Sequence, residues 1–306
     1  MNSDLDDADQ NAAPLVSVTI PTMNSSRTIG KCLTSISSQT YPNIETIVMD
    51  GGSRDGTIEM TRVYGARLYT GTHLAERRLL GVRMSKGDFI LMLDSDQVLS
   101  PDAVEKCVKV SVHDKFDALY LTESSVSTDS LVQKALSLDR SLVHDLKDTH
   151  PVFGTLLPRF FRGEFVRNIS WPTNVMANDH AFIHYACWKA GARMAIVDAQ
   201  IFHHEPQTLA AFIRRSYQWG YYYVKEVRLN PSIAVTHALP RRVYVSKNAL
   251  ANPWISMLFF LYAVKMLAAA SGSIASLCDD TSNKLRKFVS VTNDPSSASV
   301  SPAPTS

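Results

Sequence analysis

The stretch Phe89-Ile90-Leu91-Met92-Leu93-Asp94-Ser95-Asp96 joins five apolar residues to two carboxylates that one small residue separates. Five consecutive apolar residues are typical of a strand that is buried on both faces, as in a parallel sheet. Parallel sheets bind ligands at the carboxyl ends of their strands, and carboxylate oxygens suit Mg²⁺ or Mn²⁺. The alternative, judged from these residues alone, is a solvated turn that caps the next helix. The stretch therefore predicts an α/β fold in which Asp94 and Asp96 either hold a divalent cation or form a turn.

The chain up to about residue 122 alternates short apolar runs with helical periods, which indicates stacked β-α units. The predicted strands cover residues 16–20, 44–49, 66–69, 89–93 and 118–121. The predicted helices begin at a Ser26 cap, cover 57–64 and 74–85, and begin again at a Ser100 cap. The glycines of Asp50-Gly51-Gly52-Ser53 permit a close approach of the backbone to a ligand at the end of the second strand.

The composition is that of a globular protein, since 45% of the 306 residues are hydrophobic and 20% are charged. The formal net charge of +2 gives no general attraction to nucleic acid, so we expect no nucleic-acid partner. The four cysteines are far apart and form no CxxC pair. This spacing argues against a zinc site or a disulfide framework and favours a reducing, cytosolic setting.

Both ends of the chain have compositions that predict disorder. Residues 1–14 carry aspartates where a secretory signal would carry positive charge, which predicts an acidic, disordered leader. Residues 292–306 are rich in Ser, Pro, Ala and Thr without an apolar period, which predicts a disordered tail.

An apolar segment from Trp254 to Leu277 carries a single charge, Lys265, and is long enough to span a bilayer. A lysine near the middle of such a span costs roughly 2.5–3.5 kcal/mol, which makes spanning marginal. The alternatives are an interfacial helix from which Lys265 snorkels and a plain core helix. We expect contact with a membrane surface, through a peripheral helix or a single C-terminal anchor.

Several motifs follow one another in a fixed order: Ile20-Pro21-Thr22-Met23-Asn24, residues 38–45 (SQTYPNIE), residues 50–57 (DGGSRDGT), Lys86-Gly87-Asp88 and Asp94-Ser95-Asp96. Together they resemble the family 2 glycosyltransferases with a GT-A fold, over roughly residues 15–220. The resemblance implies a Rossmann-like, mostly parallel central sheet flanked by helices. It divides the chain into a nucleotide-binding half (15–122), an acceptor half (123–225) and a helical C-terminal region (226–291).

The resemblance also implies which residues bind the nucleotide-sugar donor. The residues expected to cradle the nucleoside and diphosphate are Pro21, Thr22, Asn24, Asp50, Gly52, Ser53, Arg77, Asp94 and Ser95. The implied ligands of Mn²⁺ or Mg²⁺ are Asp94, Asp96 and His203. Simpler alternatives remain: Asp50 as a turn residue, Arg77 as an exposed helix arginine and His203 as half of an ordinary histidine pair. Gly51 replaces the second aspartate of many family members, so the choice between UDP and GDP stays open.

A candidate base follows from the same resemblance, because Asn178-Asp179-His180 occupies the place of the family's Glu-Asp pair. An inverting transferase needs one carboxylate to take the proton of the acceptor hydroxyl, and Asp179 is predicted to do so. The bound metal would neutralise charge on the leaving diphosphate. The alternative for Asp179 is a helix cap.

The segment from Arg214 to Tyr223 mixes arginines with aromatic residues. It is predicted either to steer an anionic lipid acceptor towards Asp179 or to close the acceptor side of the core as an amphipathic helix. The predicted function is metal-dependent, inverting sugar transfer to a glycan hydroxyl or lipid-linked acceptor at the cytoplasmic face of a membrane. The alternatives are a sugar-phosphate nucleotidyltransferase and a catalytically silent scaffold that binds nucleotide sugars.

Overall fold

The structure, a computed structural model, describes residues 13–145, 157–231 and 242–292. The predicted leader and tail lie outside these ranges except for residues 13, 14 and 292. The strands are β1 (Val16–Thr22), β2 (Ile44–Asp50), β3 (Arg67–Thr70), β4 (Phe89–Met92), β5 (Gln97–Leu99), β6 (Ala118–Ser125), β7 (Phe160–Arg162) and β8 (Met194–His203). The helices are α1 (Ile29–Ser37), α2 (Thr57–Val63), α3 (Leu74–Met84), α4 (Ala103–Asp114), α5 (Leu131–Asp145), α6 (Gly163–Arg167), α7 (Asp179–Lys189), α8 (Leu209–Val227), α9 (Lys247–Leu250) and α10 (Ile255–Thr292).

The strands form one sheet in the order β3-β2-β1-β4-β7-β6-β8-β5. The pairs β1–β2, β1–β4, β2–β3 and β6–β8 are parallel, and the pairs that involve β5 or β7 are antiparallel. Because β7 is antiparallel to both β4 and β6, the strands β1, β4, β6 and β8 run in the same direction. Their carboxyl ends therefore meet at one edge of the sheet, where a ligand is expected. The boundary predicted at residues 122 and 123 falls inside β6, so this sheet takes strands from both predicted halves.

Helices cover both faces of the sheet. On one face, α1 and α4 pack against alternate residues of β1 and β4 and bury Cys32, Leu33, Val104 and Cys107. On the other face, α3 and α7 pack against Ile90 and Met92 of β4. Burial on both faces is the reason that β4 is apolar along its whole length.

A third apolar cluster joins α5, α8, α9 and α10 beside the sheet. Gly220 of α8 and Gly272 of α10 bring the two helix backbones into contact, because a Cβ at either position would overlap main-chain atoms of the opposite helix. Small residues commonly permit such close helix packing. The C-terminal helices are therefore packed onto the body of the protein through α8.

Several predicted element boundaries are corrected by the structure. β1 continues through Pro21 to Thr22, and Pro21, which has no N–H to donate, lies beyond the last β1–β4 pair at Thr19. The cap of α1 is Thr28, not Ser26, whose N–H instead donates to Asp55. The cap of α4 is Asp102, not Ser100. The short strand β5, which follows the Asp-Ser-Asp stretch directly, was not predicted.

Candidate active site

A cavity of about 880 Å³ opens at the carboxyl ends of β1, β4, β6 and β8. One wall consists of residues 21–28 and 94–96, and the opposite wall consists of residues from α5, α8 and α10. Of the residues predicted to take part in binding or catalysis, the cavity is lined by Pro21, Thr22, Asn24, Arg77, Asp94, Ser95, Asp96, Asp179 and His203. The structure thus brings together residues that are up to 182 positions apart in the sequence.

The first wall is fixed by two interlocked loops that follow β1 and β2. Asn24 adopts a left-handed backbone conformation with φ of 52°, which asparagine tolerates better than most residues. Its N–H donates to Ser53 Oγ at 2.8 Å, and its Oδ1 accepts from the Arg54 N–H at 2.9 Å. Ser95 Oγ lies 2.9 Å from Ser25 Oγ and joins the first loop to the loop that follows β4. These contacts fix the wall mainly through main-chain and short polar groups.

Asp50 does not lie on the cavity wall, and neither do Gly52 and Ser53, among the residues that the structure describes. The Asp50 carboxylate is buried and accepts hydrogen bonds from the Gly52 N–H at 2.7 Å, the Ser53 N–H at 2.8 Å and the Ser53 hydroxyl at 2.5 Å. All three donors belong to its own turn. The geometry thus corresponds to the turn-forming alternative for Asp50, and the loop after β2 reaches the cavity through Asp55 instead.

Arg77 and Arg78 are both buried on α3, which corrects the alternative of exposed helix arginines. Arg77 Nη1 donates to the Thr22 carbonyl and passes so close to Gly51 that a Cβ there would lie 2.8 Å from it. Gly51 therefore gives room to Arg77. Among the described residues, no hydrogen-bond partner reaches Thr22 Oγ1, Arg77 Nε or Arg78 Nη1. All three residues line the cavity, and these three polar atoms are buried within its wall.

A continuous chain of ion pairs and close histidine–carboxylate contacts (the ionic chain) lines the cavity from Asp179 to Asp96. Its members, in order, are Asp179, Arg78, Asp94, Arg159, Glu123, Arg140, Glu205, His203 and Asp96. Arg78 bridges Asp179 at 2.5 Å and Asp94 at 2.7 Å, and Arg159 bridges Asp94 and Glu123 at 2.9 Å each. Five carboxylates face three guanidinium groups in this chain, which leaves an excess of two negative charges before His203 is counted.

Four charged residues of the site have no predictive motif in the sequence: Glu123, Arg140, Arg159 and Glu205. They come from β6, α5, the residue before β7 and the residues after β8, so no local motif joins them. A weak signal was present, because Arg159 directly precedes an apolar pair, Phe160-Phe161, that is fully buried. A charged residue at the edge of such a run is usually paired when it is buried.

Burial alone would raise the pKa of the Asp179 carboxyl, but the charge of Arg78 and a hydrogen bond from His180 outweigh it. The pKa of Asp179 therefore lies well below its usual range. Burial opposes ionisation of Asp94 in the same way, and Arg78 and Arg159 together hold the pKa of Asp94 well below its usual range. Both groups are carboxylates at neutral pH.

Asp96 and His203 form the part of the site that best suits a divalent cation. His203 ends β8, and its Nε2 lies 3.5 Å from Asp96 Oδ2, within the cavity wall. Asp94, the third predicted ligand, uses both carboxylate oxygens for Arg78 and Arg159. Accordingly, the described residues contain no group of three or more His, Cys, Asp or Glu side chains placed to hold a metal ion. A carboxylate and an imidazole still fit Mn²⁺ or Mg²⁺ if ligand oxygens complete the coordination.

The wall formed by α5, α8 and α10 combines apolar and charged side chains. Its apolar residues include Leu136, Val143, Phe212, Leu258 and Leu261, and its charged residues are Asp139, Arg140, Arg215 and Lys265. The predicted segment from Arg214 to Tyr223 lies within α8, whose buried residues are Phe212, Ser216, Gly220 and Glu226. Arg215, Trp219 and Tyr222 of this helix line the cavity, as expected of an amphipathic helix that closes one side of the core, and the steering of a lipid acceptor stays a prediction.

Lys265 of α10 projects from the same wall of the cavity. Its ammonium group lies 5.4 Å from the centre of the Trp219 ring and 6.0 Å from that of the Tyr262 ring, a cation–π arrangement. The one charge of the apolar segment thus faces the cavity. Other apolar residues of the segment form an outer face of α10. The large side chains of this face are 38–72% exposed: Phe259, Phe260, Met266, Leu267, Ile274 and Leu277.

By length and composition, α10 could cross a membrane over Ile255–Ser282, and only 22% of its most apolar window is buried. A core helix would be mostly buried, so the plain core-helix alternative does not describe α10. The helix has one packed face and one exposed apolar face.

Comparisons with known proteins agree with this geometry. The hyaluronan synthase of Pasteurella multocida is 35% identical over 133 residues, which cover 41% of this chain and 14% of that protein. A PGL/p-HBAD biosynthesis glycosyltransferase of Mycobacterium bovis is 32% identical over 143 residues, which cover 43% of this chain and 55% of that protein. The chain thus spans 14% and 55% of the lengths of these two relatives.

Solved structures of glycosyltransferases share the fold at low sequence identity. S. aureus TarS 1-349 in complex with UDP-GlcNAc is 16% identical, covers 85% of this chain and 91% of its own, and gives a TM-score of 0.51. Glucosyl-3-phosphoglycerate synthase from Mycobacterium tuberculosis, solved with Mn²⁺ and UDP-glucose, is 18% identical, covers 78% and 84%, and gives 0.51. The predicted GT-A fold is thereby confirmed.

The family model "Glycosyl transferase family 2" matches residues 17–173, which is more than half of the chain. The match includes the loops that follow β1 and β2 and the Asp-Ser-Asp stretch, and it ends before Asp179 and His203. The chain belongs to glycosyl transferase family 2.

Proposed function

We propose that the protein transfers a sugar from a UDP- or GDP-sugar to a hydroxyl or lipid-phosphate acceptor, with a divalent cation and with inversion at C1. The observation that carries this proposal is the shared cavity. It places the donor-side loops, the Asp96–His203 pair and the Asp179 carboxylate around one space. Two proteins with the same fold were solved with UDP-GlcNAc and with Mn²⁺ plus UDP-glucose, which supports the choice of donor.

The residues proposed to hold the cation are Asp96 and His203, with Asp94 nearby. A cation would complement the excess of negative charge in the ionic chain. A diphosphate would complement the unpartnered polar atoms of Thr22, Arg77 and Arg78. When bound, the cation would neutralise charge that develops on the leaving diphosphate. Magnesium and manganese both suit these ligands, so the site alone does not select one of them.

Asp179 is proposed as the general base. The acceptor oxygen attacks C1, the bond from C1 to the diphosphate oxygen breaks, and the acceptor proton passes to the Asp179 carboxylate. The Asp179 carboxylate is ionised at neutral pH, and the pairing with Arg78 that lowers its pKa also makes it a weaker base. It takes this proton as the new bond forms, when the attacking oxygen becomes acidic.

The acceptor is proposed to be amphiphilic and anionic. Apolar residues of α5, α8 and α10 line one wall of the cavity, and Lys265 and Arg215 add positive charge to this wall. An apolar chain together with a phosphate head group complements both features. The exposed face of α10 is proposed to rest on the cytoplasmic surface of a membrane, with α10 as a peripheral helix, because α10 remains packed on α8.

The donor assignment is tested with a panel of UDP- and GDP-sugars and the purified full-length chain. We expect at least one donor to bind in the presence of Mn²⁺ and to be hydrolysed slowly, and chelation of the metal to weaken that binding at least about tenfold. Calorimetry and release of the nucleoside diphosphate measure the two effects. If no donor binds in a metal-dependent way, the proposed function is wrong.

The base is tested with Asp179→Asn, compared with Asp114→Asn on the surface of α4. With water or an alcohol as acceptor, Asp179→Asn should lower kcat about 10²–10⁴-fold and leave the donor Kd unchanged. With decyl phosphate as acceptor, the loss should be much smaller, because a phosphate oxygen is already ionised. Unchanged kcat with water would remove Asp179 from the mechanism.

A further inference from the structure

The carboxylate of Glu226, near the end of α8, is buried and only 2% of the residue is exposed. It accepts four hydrogen bonds, all from three consecutive residues. The donors are the Met176 N–H at 2.7 Å, the Ala177 N–H at 2.8 Å, the Asn178 N–H at 3.1 Å and Asn178 Nδ2 at 2.7 Å. A carboxylate is the side chain best suited to four donors, because it offers about four acceptor positions and no hydrogen.

The segment that Glu226 holds leads directly to the candidate base. Asn178 is the cap of α7, and Asp179 is the first residue of that helix. Asn178 Oδ1 accepts a second contact from α8, the Trp219 Nε1–H at 3.2 Å. On the other side, the Val175 carbonyl accepts from the Ala75 N–H of α3 at 3.2 Å. Residues 175–178, which lead into Asp179, are thus held between α3 and α8. Glu226 and Trp219 make the α8 contacts described above.

A neutral side chain of the same shape cannot replace Glu226. In Glu226→Gln, the amide oxygen could still accept from two main-chain N–H groups, but its NH₂ group would face the two donors of Asn178. Buried donors that face each other lose their hydrogen bonds, and the segment must move to restore them. Any such movement carries Asn178 and therefore Asp179 with it.

The identity of residue 178 fits the same arrangement. An acid at this position would place two buried carboxylates next to each other, whereas Asn178 donates to Glu226 and accepts from Trp219. An asparagine at position 178 and a glutamate at position 226 therefore match each other.

We propose that Glu226 is a positioning residue for the reaction: through residues 176–178 it sets where the Asp179 carboxylate stands relative to C1 of the donor sugar. The inference rests on the proposed function, in which Asp179 is the base. Glu226 itself does not line the cavity among the described residues, so its effect on the reaction passes through this segment.

The experiment compares wild type, Glu226→Gln, Asn178→Asp and the double variant in metal-dependent donor hydrolysis, with UDP-GlcNAc and UDP-glucose as the first probes. We expect Glu226→Gln to lower kcat about 10²-fold, because a displacement of about 1 Å can cost that much. The donor KM should change less than about twofold, because the donor-side loops do not contact Glu226.

The double variant provides the decisive comparison. Asn178→Asp alone should lower kcat at least as much as Glu226→Gln. In the double variant, the carboxylate introduced at position 178 can accept from the NH₂ group introduced at position 226, while the main-chain N–H of residue 178 still lacks its acceptor. The recovery of kcat should therefore be partial, but at least about tenfold above either single variant. A purely structural role for Glu226 would not produce this recovery together with an unchanged donor KM. Lys225→Gln, an exposed neighbour on α8, serves as the control and should match wild type.

The possible outcomes separate the two proposals. If wild type binds no donor with metal, the proposed function fails first. If wild type turns over and Glu226→Gln keeps its kcat, or if the double variant shows no recovery, the positioning role is wrong while the proposed function stands. Should Glu226→Gln not fold, Glu226→Asp keeps the charge and shortens the reach, and a folded Glu226→Asp with unchanged kcat would equally overturn the inference.

Discussion

On the side of the cavity proposed to bind the donor (the donor side), main-chain groups and short polar side chains of two loops interlock at the ends of β1 and β2. On the side proposed to bind the acceptor (the acceptor side), long side chains from α5, α8 and α10 converge from distant parts of the chain. The donor side is therefore built from local contacts on a rigid sheet, whereas the acceptor side depends on how three helices pack. The ionic chain joins the two sides through Arg78. Substitutions in the two regions should therefore differ in their effects on stability and binding.

The largest effect is expected at the junction, in Arg78→Met. Arg78 is buried and bridges Asp94 and Asp179, so its removal leaves the buried Asp179 carboxylate and the partly buried Asp94 carboxylate without their shared partner. We expect the free energy of unfolding to fall by roughly 3–5 kcal/mol, measured by urea denaturation. Arg83→Met, an exposed arginine on the same helix, should change it by less than about 0.5 kcal/mol. Equal stability of the two variants would mean that the chain of ion pairs does not join the two sides.

The pH dependence of stability tests the same junction in the wild-type protein. The pKa of Asp179 is lowered on folding, so the ionised carboxyl contributes stability above the unfolded-state pKa of about 3.9. As the pH falls below that value, the unfolded chain binds the proton first and this contribution is lost. The wild-type free energy of unfolding should therefore decrease below about pH 4, and less steeply in Arg78→Met. A parallel decrease in both proteins would contradict the assigned pairing.

Two glycine substitutions compare the two regions directly. Gly220→Ala places a Cβ against the main chain of Ala269 and should lower the free energy of unfolding by about 1–3 kcal/mol. Gly30→Ala lies in α1 on the donor side, where the nearest atom is Met60 Sδ at 3.4 Å. Its better helix propensity should raise the free energy of unfolding by about 0.5–1 kcal/mol. Urea denaturation measures both, and effects of the same sign would contradict the close contact of α8 with α10.

The same contrast explains how much of the molecule could be predicted from its sequence. The first four strands were predicted to within two residues, because apolar runs and breaks at Gly, Pro and Asp are local signals. The three-residue strands β5 and β7 are too short to show a period, and β5 directly follows a motif assigned to a loop. The position of Asp94 and Asp96 at the carboxyl end of a buried strand was predicted from the local sequence together with the family resemblance.

Contacts that depend on tertiary structure were not predictable in this way. Glu226 lies 48 residues from Asn178, and Arg159 lies 65 residues from Asp94. The local sequence gives no signal for Glu226 and only the weak signal of the adjacent apolar pair for Arg159, because only packing brings their partners to them. Asp50 shows the converse, since its turn-forming role was contained in the local Asp-Gly-Gly-Ser sequence, while the resemblance suggested contact with the donor.

The smallest effect on stability is expected at the outer face of α10, in Leu267→Ser. Leu267 is 72% exposed, so the substitution should change the free energy of unfolding by less than about 0.5 kcal/mol. Binding to vesicles of phosphatidylglycerol and phosphatidylcholine should nevertheless weaken several-fold, roughly tenfold for each 1.4 kcal/mol of lost apolar contact. Flotation measures this binding, and Val63→Ser, on the 80% exposed Val63 of α2, should leave it unchanged. Equal vesicle binding by wild type and Leu267→Ser would show that the membrane does not contact this face of the acceptor side.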